Sequence, residues 1–77
     1  MKYTLKQLVK DDYITLYDIG GICGVWSKQG VYNILNGTNR IYTNELRQLV
    51  DIAKAHGLDI AVDDVDTSEL WLVCFGK

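Results

Sequence analysis

The chain has 77 residues, of which 48% are apolar, and a formal net charge of -2. That composition suits one small globular domain with a modest core and excludes a disordered polar tail. The slight negative charge also excludes attraction to nucleic acid through bulk charge alone, so the distribution of charge has to carry any such reading.

Residues 1–57 carry seven Lys and Arg against five Asp and Glu, whereas residues 58–77 carry one against five. The front of the chain is mildly basic and the tail acidic, with the break at Gly57. No apolar run approaches the roughly 18 residues of a membrane span. The opening MKYTLKQLVKDD scatters its charges and has no apolar stretch of signal-peptide type, so a cytoplasmic protein is expected. Cys23 and Cys74 are two distant thiols among apolar neighbours and are expected to be buried rather than bridged. A single histidine, His56, and no CxxC pair leave a zinc site without ligands. The acids of DDVD lack calcium-loop spacing. No metal, cofactor, small-molecule substrate or catalytic constellation is expected.

In chain order, Leu5, Leu8 and Val9 at helical spacing, with Lys6 and Lys10 opposite, predict a short first helix over about 5–11. Thr15 is the expected cap of a second helix, with Asp18 near its positive end and Leu16, Ile19, Gly20 and Cys23 on one face. Two adjacent glycines inside that helix cost about 1 kcal/mol each, and close approach of another helix is the expected compensation. Ser27 caps a third helix with Val31, Ile34 and Leu35 facing inward and Asn36-Gly37 ending it. GTNRIY reads as a connecting loop. Thr43 or Asn44 caps a fourth helix with a Leu46, Leu49, Val50 and Ala53 stripe, an Arg47–Asp51 pair outside, and a stop at Gly57.

Beyond Gly57 the period changes from helical to alternating. Leu58, Ile60 and Val62 alternate with polar or small residues, DDVDTS is a turn, and ELWLVCF (69–75) is rich in β-formers. Thr67-Ser68-Glu69 offers an alternative helix cap in the tail. The expected fold is α+β but mostly α, a single domain over 1–77. It consists of a four-helix helix-turn-helix core over 5–57 followed by a C-terminal β-hairpin over 58–77.

Two short helices joined by a tight turn, with small residues where they cross, describe a helix-turn-helix. Through Ile19-Gly20, Cys23-Gly24-Val25, Val31, Ile34-Leu35, Asn36-Gly37 and LRQLVDIAKAHGLDI, residues 5–57 resemble the Cro/repressor-like DNA-binding domains of phage and bacterial regulators. Val31 falls one position later than the family places its buried residue. Either the turn holds an extra residue near Trp26, or Val25 occupies the glycine site. The resemblance implies a sequence-specific transcriptional regulator, a phage or prophage repressor of Cro type, with no enzymatic activity.

The outer face of the third helix carries the chemistry for this. Gln29, Asn33 and Asn36 have amides that can pair with adenine N6 and N7. Lys28 can reach guanine or phosphate, Tyr32 a thymine methyl or a phosphate, and Ser27 stands at the helix start. Asn39 and Arg40, with Asn44 and Arg47 beyond them, are candidates for flanking phosphates. Double-stranded DNA with a near-palindromic operator is therefore the expected partner.

In the tail, Leu70, Trp71, Val73 and Phe75 are candidates for a homodimer interface, since a hairpin on a small helical domain has only one face to bury. The alternative is that Trp71 and Phe75 fill the core. From another functional class, the alternative is a small interaction module that keeps the scaffold but binds a host or phage protein.

Overall fold

A computed structural model describes residues 2–74 of the chain. Its elements run α1 (Leu5–Lys10), α2 (Leu16–Cys23), α3 (Lys28–Leu35), β1 (Arg40–Tyr42), α4 (Thr43–Ala55), a single 3-10 turn (Val62–Asp64) and β2 (Trp71–Val73). The molecule is a small α+β structure with four helices and a two-stranded parallel sheet. Among the described residues, no helix is long and apolar enough to cross a membrane.

The helices begin where local chemistry sets them. Helices of six or eight residues are too short to persist alone, so their ends and their buried faces have to hold them. At α1, Thr4 Oγ1 accepts the Gln7 N–H and Gln7 Oε1 accepts the Thr4 N–H, each at 3.1 Å. At α2, Thr15 and Asp18 make the same reciprocal pair at 2.9 and 3.0 Å. Apolar residues at helical spacing then feed one core, with Leu5, Leu8, Ile14, Ile19, Val31, Ile34, Leu46, Leu49 and Val50 all nearly inaccessible to solvent. No polar or charged side chain is fully buried among the described residues.

Gly20 provides the close approach that its place in a helix calls for. A Cβ there would lie 2.6 Å from the Val25 carbonyl oxygen and 3.4 Å from Val31 Cγ2. Only the absence of a side chain lets the turn and α3 settle onto α2. Gly21 meets nothing within 4 Å, so packing explains one glycine of the pair and not the other.

Four expectations need correction. The C-terminal β-hairpin over 58–77 does not form. Instead β2 pairs in parallel with β1, matching Arg40 to Trp71, Ile41 to Leu72 and Tyr42 to Val73. The first proposed strand is drawn into the core piecemeal, with Ile60 buried and Val62–Asp64 forming a turn, and Val65, expected in the polar DDVDTS turn, is buried in a bridge to Tyr3. That lacing uses up the residues a hairpin would have paired. With α4 and the 56–70 segment serving as the long crossover, β2 arrives pointing the same way as β1.

The supposed loop GTNRIY is accordingly part loop and part strand, with Ile41 fully buried at the centre of β1. Because β1 runs directly into α4, the N-cap is Tyr42 rather than Thr43 or Asn44. The Tyr42 N–H is taken by Glu45 Oε1 at 2.9 Å, and the Thr43 hydroxyl donates to the Val73 carbonyl of β2 at 3.2 Å. Cys74, expected inside, is exposed, and only Cys23 is half-buried.

Candidate nucleic-acid interface

Helix α3 is held at both ends. Ser27 Oγ accepts the Gly30 N–H at 3.1 Å at its start. Beyond its C-cap, Asn36, the Thr38 and Asn39 N–H groups return to the Asn33 carbonyl at 2.8 and 3.0 Å. The inward stripe of Val31, Ile34 and Leu35 is buried to within a few per cent. Helical geometry therefore leaves the amide-bearing side facing away from the core.

On that side Ser27, Lys28, Gln29, Tyr32 and Asn36 are exposed and Asn33 is half-buried. Gln29 Nε2 donates to Asn33 Oδ1 at 3.0 Å, one turn further on. The pair is thus a linked amide ladder, with the Gln29 carbonyl and the Asn33 NH2 as its remaining acceptor and donor. Helix α3 carries no acid, and Lys28 stands at its positive end. A polar, acid-free face with one cation and paired amides has the hydrogen-bonding groups that base edges in a major groove would meet.

The flanking candidates separate in space and in role. Asn39 and Arg40 are exposed beyond the end of α3, and Asn44 and Arg47 are exposed on α4. The Arg40 guanidinium lies 5.8 Å from the centroid of the Trp71 ring, within cation–π range. One expected phosphate contact and one expected dimer contact thus meet each other across the β1–β2 pair. Among the described residues no ion pair joins Arg47 to Asp51, and the single one within 4.0 Å is an exposed Lys6–Glu69 contact at 3.8 Å.

The four residues proposed for a dimer interface divide by the pleat. Leu70 packs against the core, as does Leu72. Trp71 points outward at 51% exposure, and Val73 is half-buried. Phe75 lies outside the described residues. Trp71 therefore does not fill the core; the leucines on either side of it do.

Sequence reasoning passed over two features here. One is the pairing of Cys23 with Glu45. Burial first, then the Glu45 charge and its hydrogen bond, push the Cys23 thiol up to about 12. It borders a polar recess of about 190 Å³ shared with Asn39, Arg40 and Tyr42. The other is a groove between α2 and the start of α3, flanked by Tyr17 and Trp26. The turn after Gly24 (φ 72°) sends Val25 towards the core and leaves Trp26 outside. The aromatics Tyr17, at the start of α2, and Trp26, in the turn before α3, were the available signal.

His56 has a structural partner. Its Nδ1 lies 2.9 Å from the Tyr13 carbonyl oxygen, which can only accept, so that nitrogen carries the proton and ties the end of α4 to the α1–α2 loop. Among the described residues, no group of three or more His, Cys, Asp or Glu is placed to hold a metal ion.

Comparisons with protein-family models, curated proteins and solved structures return no match for this chain. Any functional reading consequently rests on α2, α3 and their surroundings.

The two thiols give a direct test of the geometry. At pH 8 an exposed Cys74 reacts promptly with an aromatic disulfide reagent, whereas Cys23, with about one molecule in ten thousand ionised, reacts only after unfolding. Two equal, fast equivalents under native conditions would contradict the Cys23–Glu45 pairing. The stability contribution of the protonated thiol is complete below its ordinary 9.0 and is lost as pH rises from there towards 12. Over that window the melting temperature of the parent should therefore fall more than that of a Cys23→Ala variant.

Proposed function

We propose that this protein is a sequence-specific DNA-binding transcriptional regulator, a repressor of Cro type that reads the major groove with α3. The observation carrying the reading is the outer face of α3. Its amide ladder and Lys28 are solvent-facing and acid-free, on a helix seated across α2 through Gly20. The C-terminal segment comes close to Gly37, past the helix end, at Glu69 and Trp71, and Gln29, Tyr32 and Asn36 are exposed.

A second copy related by two-fold symmetry would set two such helices about 34 Å apart on a near-palindromic operator. The exposed Trp71 on β2, beside an open strand edge, is the surface we assign to that pairing. Leu70, already turned inward, would contribute little. Few cations surround α3, so the logarithm of affinity should fall against the logarithm of salt concentration with a slope of only about -2 to -5.

Selection from a random duplex library at low salt, followed by sequencing, tests the reading. A regulator enriches a palindrome whose half-sites lie one helical turn apart. No enrichment, together with binding to a folded protein partner, would instead favour an interaction module, for which the acidic residues of the tail and the exposed Trp71 are the supporting features.

A further inference from the structure

The groove between α2 and the turn before α3 is left open by the fold. Tyr17 and Trp26 line it at 84% and 83% exposure, the two most exposed large apolar side chains among the described residues. Gly21 lines it as well. A glycine inside a helix is destabilising relative to alanine, and at Gly20 the close approach of Val25 and Val31 accounts for it. At Gly21 no neighbouring group comes within 4 Å of where a Cβ would stand. The helical glycine that packing does not explain therefore borders the open space that the two aromatics line.

We infer that this groove is a binding site for a small aromatic monocarboxylate, its ring against Tyr17 and Trp26 and its carboxylate on the Lys28 ammonium. Three observations select that ligand class. The first is charge. Lys28 is the one charged residue lining the groove, and among the described residues no ion pair occupies it. The nearest acid in sequence, Asp18, is turned to the Thr15 N–H at 2.9 Å. One ammonium balances one carboxylate. A phosphate or a dicarboxylate would bring unpaired charge into a mostly apolar lining, and a ligand cation would find no carboxylate there.

The second is shape. Tyrosine and tryptophan favour offset or edge-to-face contact with another ring, and the missing side chain at Gly21 leaves room for a flat body beside them. The third is size. At about 230 Å³ the groove falls below the roughly 300–1,000 Å³ of sites for drug-sized ligands, which limits the guest to one or two rings.

Trp26 and Lys28 stand on either side of Ser27, the cap of α3. A bound carboxylate would hold Lys28 away from a duplex at the end of α3 that meets the bases, so the ligand would antagonise operator binding. That consequence rests on the reading of α3 as the major-groove helix, whereas the binding site does not.

The probe is 2-naphthoate, titrated into the full chain labelled with nitrogen-15 and followed by amide and indole chemical shifts. The expected result is saturable shifts clustered at Tyr17, Gly21, Trp26 and Lys28, with a dissociation constant of about 0.05–1 mM. 2-Naphthalenemethanol, with the same rings and no charge, should bind about tenfold more weakly or worse. Lys28→Met should erase that preference, so that the two probes bind alike. Gly21→Leu should abolish binding by filling the space, with the melting temperature unchanged or raised. Trp26→Ala, at an exposed position, should weaken naphthoate about fivefold or more without disturbing the fold. Saturating naphthoate should weaken the duplex selected above about five- to tenfold in the parent and leave Gly21→Leu unaffected.

No saturable shift at about 10 mM naphthoate, equal binding of the two probes to the parent, or parental affinity in a folded Gly21→Leu would each overturn the site. An apolar peptide that fills the groove where naphthoate does not would assign it to a protein partner instead. Bound naphthoate with no loss of duplex affinity overturns the antagonism and leaves the site. If the parent selects no duplex at all, the reading of α3 fails, and the probe titration still decides the site.

Discussion

Gly37→Ala is expected to cost about 2–4 kcal/mol and to lower the melting temperature by roughly 10–30 °C. Two effects combine. The residue sits at φ 82°, in the left-handed region where a side chain costs about 1–2 kcal/mol. Its Cβ would also stand 2.4 Å from the Glu69 carbonyl oxygen and 3.7 Å from the Trp71 amide. Backbone cannot swing aside as a long side chain can, so α3 or the approach to β2 would have to move.

Gly24→Ala supplies the comparison. It has a similar φ of 72° but nothing within 4 Å of its Cβ, so it should lose the conformational part alone. The difference between the two variants in chemical denaturation measures how tightly the C-terminal segment seats against the end of α3. Equal losses would mean that this segment does not seat there in solution, and the parallel β1–β2 pair would be in question with it.

The second large effect concerns recognition. Gln29→Ala and Asn33→Ala should each relax discrimination at a single base pair by about 1–3 kcal/mol, or roughly 5- to 150-fold, when affinities for a selected site and its single-base variants are compared. Because Gln29 Nε2 is bonded to Asn33 Oδ1, either loss also frees the partner amide to turn. The double variant should therefore lose less than the sum of the two. Folding should barely respond, since an exposed i, i+4 pair contributes only a few tenths of a kcal/mol. If each variant weakens all sequences equally, α3 touches backbone rather than bases. If neither weakens any, α3 is not the reading helix.

Much of the candidate surface could be read before any coordinates. Ser27 as a cap and Val31, Ile34 and Leu35 as an inward stripe follow from spacings of three and four residues, and those fix by subtraction that Gln29, Tyr32 and Asn36 face out. The hydrogen bond between Gln29 and Asn33 follows from the same periodicity. The groove was hidden, because it requires the crossing of α2 and α3 at Gly20 and the outward turn of Trp26. The meeting of Arg40 with Trp71 was hidden for a like reason: it depends on a strand register.

What the sequence determined by itself was the set of helices, their caps at Thr15 and Ser27, their buried faces and the acid-free character of α3. Those features arise from interactions within one or two turns, and local side-chain chemistry is enough to specify them. The tertiary structure decided the fate of the tail. Val65 reads as part of a polar turn between two hairpin strands, but it lies beside Tyr3, and Leu72 lies beside Ile41. Strands of three residues carry too little alternation to announce a partner. Their choice is made by which edge the assembled helices leave open, and by how much apolar surface each arrangement removes from water.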